Sequence, residues 1–207
     1  MSDAITSLFA THIYSADLPN ADDLNADLAA ACLMLAEEDA AGEAWCVDND
    51  YDGYTSYASL NDLRTRTTAF ETLANELDKH ANQFAEALNF DMSGQTLVLD
   101  SYWVNVLNPG AMHSGHIHPH SVLSGTYYVQ VPDCAGALRF EDPRLVAMMA
   151  APTPRSDAPE AFQRFVYRQP SAGRVMMWES WLRHEVTPNN CDELRISLSF
   201  NYALADA

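Results

Sequence analysis

The sequence predicts a single domain that is mainly β, with helices in its first half and a barrel or sandwich of short strands in its second. The hydrophobic pattern changes near Gly94, from the three-to-four-residue spacing of helices to the alternation of strands. Turn residues then separate the later apolar segments at hairpin-like intervals. We expect one domain over residues 1–207, in which a helical part over 1–94 flanks a β core over 95–207.

Two helices are expected in the first half. Asn20 or Asp22 can cap the first helix. Its apolar stripe comprises Leu24, Leu28, Cys32 and Leu35. The second helix runs from about Thr67 to Leu88. Its apolar face comprises Phe70, Leu73, Leu77, Phe84 and Leu88. Residues 45–60 between them are rich in Asp, Gly, Ser and Tyr, which predicts a long irregular connection.

The second half alternates between short strand-like segments and turns. The expected strands are residues 96–106, 122–131, 137–141, 162–168, 174–179 and 194–202. Residues 144–161 are rich in Pro and Ala, and we expect them to form a surface loop or a mobile lid. Many short strands with hairpin-length gaps favour a closed or double-layered β structure.

The charge of the chain is strongly negative and unevenly distributed. The sequence holds 29 acidic residues against 11 basic ones, a formal net charge of -18. Residues 1–100 carry 19 acidic and 3 basic residues, whereas residues 101–207 carry 10 and 8, so most of the excess lies in the helical half. Because such a chain repels polyanions, nucleic acid and anionic membranes are both disfavoured as partners.

The cysteines and the apolar segments indicate the compartment. Cys32, Cys46, Cys134 and Cys191 are scattered and include no CxxC pair, so we expect reduced thiols and no zinc knuckle. The N-terminal residues lack the pattern of a signal peptide, and the best apolar run, residues 28–36, is too short to span a bilayer. We therefore expect a cytoplasmic protein.

A histidine cluster is the most informative chemical feature. Four of the seven histidines, at positions 113, 116, 118 and 120, lie within eight residues. If this segment enters the next strand in an extended form, His116, His118 and His120 project to one face, where two imidazoles can chelate one metal ion. His184 is the candidate for a further ligand. The alternative is a solvated loop or hydrogen-bonded core histidines, and His113 is expected to lie in a loop.

Arg195 and Ser197 form a second candidate site. They share one face of the last predicted strand, and Arg195 is expected to point into a core that contains few other bases. A guanidinium beside a hydroxyl can bind a carboxylate through two parallel hydrogen bonds. The alternative is a surface ion pair with Asp192 or Glu193.

Together, these residues resemble the iron(II)- and 2-oxoglutarate-dependent oxygenases, in which His-x-His is followed by a distal His and then by Arg-x-Ser. More specifically, the chain resembles a family of 2-oxoglutarate–Fe(II) oxygenases found in bacteria and their phages. The matching segments are SYWVNV (101–106), HIHPHSVLSGTYYV (116–129), FEDPR (140–144), ESWLRH (179–184) and RISLSFN (195–201). Five ordered segments across the C-terminal half are a specific signal.

The resemblance implies a fold and a reaction. The fold is a double-stranded β-helix, a jelly-roll or cupin-like barrel flanked by N-terminal helices. The participants are Fe(II) as the cofactor and 2-oxoglutarate and dioxygen as co-substrates. The reaction is hydroxylation of a C–H bond in an unidentified substrate, with succinate and carbon dioxide as products.

The resemblance also implies roles for individual residues. By position, His116 and His184 are metal ligands, and Arg195 binds the remote carboxylate of 2-oxoglutarate. Ser197 assists Arg195. Either Tyr127 or Tyr128 is expected to hydrogen-bond the same carboxylate, and their opposite parity allows only one of them to point inward.

One position departs from the wider superfamily, whose triad has Asp or Glu two residues after the first histidine. In this chain that residue is His118. A neutral imidazole in place of a carboxylate gives the iron site one more unit of positive charge. This difference is expected to raise the reduction potential of the iron. Three sets of metal ligands stay open. In the first, His118 is the third ligand of a three-His site. In the second, the His-x-His pair that binds the metal is His118 and His120, and in the third Glu141 or Asp142 supplies a carboxylate. We favour the first.

Two other classes of function fit the same residues. A cupin-like three-His dioxygenase would use no 2-oxo acid, and Arg195 would then bind the substrate directly. A barrel that binds a metal or a ligand without turnover is the other class. Candidates for the cavity wall that faces co-substrate and substrate are Asn105, Trp178, Trp181 and residues 144–161. The sequence determines neither the substrate nor whether the protein forms a homo-oligomer.

Overall fold

Two antiparallel β-sheets and a layer of helices make up the fold in the computed structural model, which describes residues 5–145 and 148–207. The helices are α1 (Ala21–Glu38), α2 (Ala40–Asp48), α3 (Leu63–Arg66) and α4 (Thr68–Ala87). The strands are β1 (Ile13–Asp17), β2 (Gly53–Thr55), β3 (Gln95–Leu107), β4 (His113–His116), β5 (Leu123–Gln130), β6 (Leu138–Glu141), β7 (Phe165–Arg168), β8 (Arg174–Glu179), β9 (His184–Val186) and β10 (Arg195–Asp206).

The order of the strands produces a large and a small sheet. The large sheet has the order β1-β8-β5-β10-β3-β2, and the small sheet has the order β4-β9-β6-β7. Side chains from both sheets form one apolar cluster, with Tyr128, Met176 and Trp178 from the large sheet packed with Phe140 and Val186 from the small one. The two sheets therefore enclose the interior of a barrel.

The outer face of the large sheet is covered by α1 and α4. Its apolar side chains pack with the buried faces of both helices, including Leu28 of α1 and Leu73 of α4. Alternation along the first part of β10 points its side chains to both sides of the sheet. Leu198 and Phe200 belong to the outer core, whereas Arg195, Ser197, Ser199 and Asn201 line the inner cavity.

Both predicted helices are confirmed. In α1 the buried residues are Leu28, Ala31, Cys32 and Leu35. Asn20 occupies the N-cap position, although its side chain makes no capping hydrogen bond. The side chain of Thr67 caps α4 by accepting a hydrogen bond from the backbone N–H of Phe70. All six predicted strands are present as β3, β5, β6, β7, β8 and β10.

The prediction of an irregular connection over residues 45–60 is wrong in part, because α2 and β2 lie there. Only Gly42 and Cys46 of α2 are buried, so its sequence carries no apolar stripe. The helix is fixed instead by Asp39, whose carboxylate accepts hydrogen bonds from the N–H of Gly42 and the hydroxyl groups of Tyr54 and Ser59. The short strands β1, β2, β4 and β9 were likewise not predicted.

The prediction of reduced thiols is wrong for two cysteines. Cys134 and Cys191 form a disulfide, with a Cα–Cα distance of 5.4 Å and a sequence separation of 57 residues. The folded chain brings their two loops together, which spacing alone does not reveal. Cys32 and Cys46 are free and buried.

The remaining predictions concern the long loop and the membrane. In the predicted loop 144–161, a 3-10 turn spans Glu160–Phe162 at its end, and residues 146 and 147 lie outside the described part. No helix within residues 5–145 and 148–207 is long and apolar enough to cross a membrane.

Candidate functional site

Three histidines converge inside the barrel. His116 ends β4 and lies opposite His184, the first residue of the neighbouring β9. His118 follows two residues after β4, where its backbone N–H donates to the carbonyl of Ser180. One ring nitrogen from each of the three histidines lies within 4.8 Å of the others. This spacing allows all three imidazoles to reach a single metal ion.

Backbone carbonyls orient two of these imidazoles. Nδ1 of His184 lies 2.9 Å from the carbonyl oxygen of Leu182, and Nδ1 of His116 lies 2.7 Å from that of Ser114. Since a carbonyl oxygen only accepts, each Nδ1 carries the proton and each Nε2 keeps its lone pair. Nε2 is the atom that a metal ion would bind.

Burial keeps two of the three imidazoles, those of His118 and His184, uncharged at neutral pH. Burial, together with the nearby His116, lowers the pKa of His184 to about 3 and that of His118 to about 4. The indole of Trp178 packs against His184, with ring centroids 4.5 Å apart. Neutral imidazoles at neutral pH are the form in which histidine ligates a metal.

The premise that His116, His118 and His120 lie on one extended strand is wrong. The chain turns between β4 and β5, and His120 adopts a left-handed backbone with a φ of 72° and is exposed. The cluster forms without it, because the turn places His118 beside His184.

The two candidate carboxylates also lie apart from the cluster. Glu141 accepts a hydrogen bond of 2.9 Å from Arg183, and Asp142 pairs with Arg144 at 2.9 Å. Within the described residues, His116, His118 and His184 form the group whose ligand atoms converge.

Arg195 is buried in the same cavity, and none of the ion pairs among the described residues involves it. Its exposed fraction is 1%, and in the part of the chain that the structure describes its Nε and Nη1 atoms have no hydrogen-bond partner. No ion pair joins it to Asp192 or Glu193 among the described residues. Burial lowers its pKa, but a guanidinium stays protonated at neutral pH. An unpaired buried cation is costly, so this site is suited to an anionic ligand.

The neighbours of Arg195 distinguish the two tyrosines. The guanidinium carbon lies 5.3 Å from the ring centroid of Tyr128, which faces the interior. Tyr127 faces the helices, and its hydroxyl donates to Asn25 over 2.7 Å. Ser197 is buried and lines the cavity beside Arg195. The structure thus brings Ser197 and Tyr128, but not Tyr127, to Arg195.

Asn105 links the barrel to the N-terminal part of the chain. It is buried in β3, and its amide accepts from the hydroxyl of Thr55 and donates to that of Ser199. Asn105 and Trp178, two of the candidates for the cavity wall, do line the cavity. Trp181 and the described residues of 144–161 do not line it.

His113 and Tyr51 are cavity residues that the sequence did not indicate. His113 lies in β4 rather than in a loop, and its Nε2 is 2.6 Å from the hydroxyl of Tyr51. Burial and the nearby charge of Arg195 lower the pKa of His113 to about 3. Tyr51 precedes β2, so its position depends on a tertiary contact. The only signal in the sequence was the presence of His113 in the histidine cluster.

One cavity of about 740 Å³ joins these groups. Its wall includes the three converging histidines, Arg195 and Ser197. Its volume lies within the roughly 300–1,000 Å³ that ligand sites occupy. The fold and the site thus define a β barrel with a three-His cluster and a buried arginine in one cavity.

Residues 101–201 match the model of a protein family described as "Putative 2OG-Fe(II) oxygenase". The match is to the family that the sequence motifs predicted, and it covers the same C-terminal half of the chain. No curated protein matches the chain.

Solved structures of similar shape cover nearly the whole chain. A prolyl-4-hydroxylase of Pseudomonas putida is 19% identical, with a TM-score of 0.59 over 93% of this chain and 92% of that one. SnoK, a non-heme alpha ketoglutarate dependent carbocyclase from nogalamycin biosynthesis, is 15% identical, with a TM-score of 0.65 over 93% and 79%. SnoN, an epimerase with the same dependence from the same biosynthesis, is 16% identical, with a TM-score of 0.62 over 95% and 81%. At these identities the likeness shows the fold, and it confirms the double-stranded β-helix with N-terminal helices.

Proposed function

We propose that the protein is an Fe(II)- and 2-oxoglutarate-dependent dioxygenase that hydroxylates an organic substrate. The observation that carries the proposal is the buried Arg195, which has no ion-pair partner among the described residues, in the same cavity as three converging imidazoles. His116, His118 and His184 would hold the iron, and a set of neutral nitrogen ligands suits a divalent transition metal. Iron, when bound, would supply the redox chemistry that couples decarboxylation of 2-oxoglutarate to oxidation of a C–H bond.

The contribution of the chain is to bind, orient and exclude water. Arg195 would bind the remote carboxylate of 2-oxoglutarate through its free Nε and Nη1 atoms, with Ser197 as a further donor. Tyr128 would support that carboxylate from the barrel interior. The apolar cluster of Phe140, Trp178 and their neighbours behind His184 keeps water from the inner side of the cluster.

Arg195 also separates this proposal from the alternatives. In a three-His dioxygenase without a 2-oxo acid, Arg195 would have to bind the substrate itself, and a barrel without turnover needs no buried guanidinium beside its metal ligands. The primary substrate is left open by the fold. A cytoplasmic location belongs to the proposal, although the disulfide Cys134–Cys191 argues against it, since disulfides persist mainly in oxidising compartments.

The test is an anaerobic titration. Purified protein receives Fe(II) and then 2-oxoglutarate, and the visible metal-to-ligand charge-transfer band is recorded. The band is expected in the wild type and is expected to need far more 2-oxoglutarate in Arg195→Ala. Arg155→Ala is the control, because Arg155 is an exposed arginine outside the cavity. Bound iron without a band would overturn the proposal, and an unchanged affinity in Arg195→Ala would overturn the role of Arg195.

A further inference from the structure

The cavity is larger than a five-carbon dicarboxylate requires, and its outer part differs in character from its inner part. The inner part holds Arg195 and Ser197, which the proposed function assigns to 2-oxoglutarate. The outer part contains large side chains that are exposed at the opening: Tyr57 is 59% exposed, Met112 48% and Ile117 46%, and all three line the cavity. Exposed apolar surface concentrated at one opening is typical of a site that a ligand covers.

An aromatic pair connects this opening to the histidine cluster. The ring of Tyr57 meets the indole of Trp103 edge to face, with centroids 5.2 Å apart. Trp103, on β3, lies 6.0 Å from the imidazole of His118, measured between ring centroids. A ligand body that packs on Tyr57 and Trp103 is therefore held next to the proposed metal ligands.

The charges that line the cavity have opposite signs at its two ends. Among the described lining residues, Arg195 is the only arginine or lysine, and Asp50 and Asp52 are the only carboxylates. Both aspartates are exposed, and they belong to the half of the chain that carries most of the negative charge. Once 2-oxoglutarate occupies Arg195, no cationic side chain in the described wall is left to bind a second anion.

We propose, on the basis of the proposed function, that the substrate group entering this opening has an aromatic or apolar body and carries no negative charge. Tyr57 and Trp103 bind the body through aromatic contacts, and a positive charge on it is favoured by the same rings and by Asp50 and Asp52. Phosphorylated or carboxylate-bearing groups are repelled at the opening.

The test uses three probes that share one ring and differ in charge: phenethylamine, 2-phenylethanol and 3-phenylpropionate. Their affinities are measured by ligand-observed NMR on the anaerobic protein loaded with Fe(II) and 2-oxoglutarate. We expect the amine and the alcohol to bind at least about threefold more tightly than the carboxylate, an effect of the size that such contacts produce. Asp50→Asn combined with Asp52→Asn is expected to reduce the advantage of the amine.

Tyr57→Ala tests the aromatic contact without a risk to folding, because Tyr57 is largely exposed. It is expected to weaken the amine and the alcohol about threefold or more. Trp103→Phe is a second variant, and Tyr167→Ala is the control, since Tyr167 is half exposed and lies outside the cavity.

The charge-transfer band of the same samples separates the two proposals. With the band present, equal or tighter binding of 3-phenylpropionate overturns the inference, and so does unchanged binding to Tyr57→Ala or the absence of binding by all three probes. Absence of the band itself counts against the proposed function and, with it, against the inference that depends on it.

Discussion

The Nε2 atoms of His118 and His184 lie 3.3 Å apart, although the two residues are separated by 66 positions in the chain. Two imidazole nitrogens at this distance can share a proton or bind the same metal ion. Nδ1 of His184 is already committed to the carbonyl of Leu182, so its Nε2 is free for a metal. The relationship depends on the turn after β4, and it makes His118 part of the proposed site in place of a carboxylate.

Removing one imidazole of this pair is expected to abolish iron binding. Protein carrying His118→Ala should retain little iron after anaerobic loading and desalting, because two neutral ligands remain. His120→Ala is the matched control: His120 is two residues away, exposed and outside the cluster, so this variant should bind iron as the wild type does. The iron-to-protein ratio of each variant, measured by atomic absorption, shows which histidine binds the metal. Full iron content in His118→Ala with loss of iron in His120→Ala would show that His120, and not His118, is the metal ligand.

Replacing Arg195 should separate stability from binding. Arg195→Met removes an unpaired buried charge and keeps the volume, so the free energy of unfolding of the ligand-free protein should rise by about 1–4 kcal/mol. The affinity for 2-oxoglutarate should fall by roughly 100-fold or more. Chemical denaturation and anaerobic titration measure the two effects. A variant that is less stable than the wild type would indicate that Arg195 has a structural partner.

The two neighbouring tyrosines should respond differently to loss of the hydroxyl. Tyr128→Phe is expected to weaken 2-oxoglutarate binding about three- to tenfold, because Tyr128 lies against Arg195. Tyr127→Phe should leave that affinity unchanged and cost about 1 kcal/mol of stability, since it loses the hydrogen bond to Asn25. If both variants change the affinity for 2-oxoglutarate equally, the inward orientation of Tyr128 does not explain the effect.

The metal-free protein should lose stability as the pH falls below neutrality. The pKa of His118 is about 4 and that of His184 about 3 in the folded chain, against a value of 6.5 for an unperturbed histidine. Below pH 6.5 the unfolded chain therefore takes up protons that the folded chain does not. The free energy of unfolding is expected to fall by up to about 1.4 kcal/mol per pH unit for each ring, until the folded pKa is reached.

Denaturation curves of the metal-free protein between pH 5 and 8, in steps of about one unit, check this expectation. His118→Asn should show a shallower dependence on pH than the wild type, whereas the exposed His120→Asn should match it. Identical slopes for all three proteins would show that the cluster is not held neutral by burial.

The disulfide should contribute to stability through the loop that it closes. Cys134 and Cys191 are 57 residues apart, and closing a loop of that length contributes at most about 4 kcal/mol in the chain-entropy model. Cys134→Ser is expected to lower the free energy of unfolding by up to that amount. A reductant should destabilise the wild type to the same extent and have no effect on the variant. Insensitivity of the wild type to reductant would show that the bond is absent in solution.

Local patterns predicted most of the regular structure. The apolar stripes of α1 and α4 and the alternation of β10 are properties of short segments, so they could be identified without the fold. The alternation of β10 also placed Arg195 and Ser197 on the inner face, and the family pattern added His116, His118 and His184 as a group.

Features created by tertiary contacts could not be predicted in this way. Tyr51 reaches His113 only because β2 joins the edge of the large sheet, and α2 has no apolar stripe since it is mostly exposed. The pairing of Cys134 with Cys191 depends on two loops that meet in space. For the same reason the extended-strand argument for His120 failed: a turn with a left-handed residue is not visible in the spacing of the histidines.

One cavity is proposed to hold a metal ion at three histidines and a dicarboxylate at Arg195. An anaerobic crystal structure of the protein with Fe(II) and 2-oxoglutarate, recorded at the iron absorption edge, would show both ligands at once. We expect an anomalous peak bonded to His116, His118 and His184, with the remote carboxylate of 2-oxoglutarate on Arg195. Iron bound without His118, or 2-oxoglutarate bound away from Arg195, would overturn the proposal.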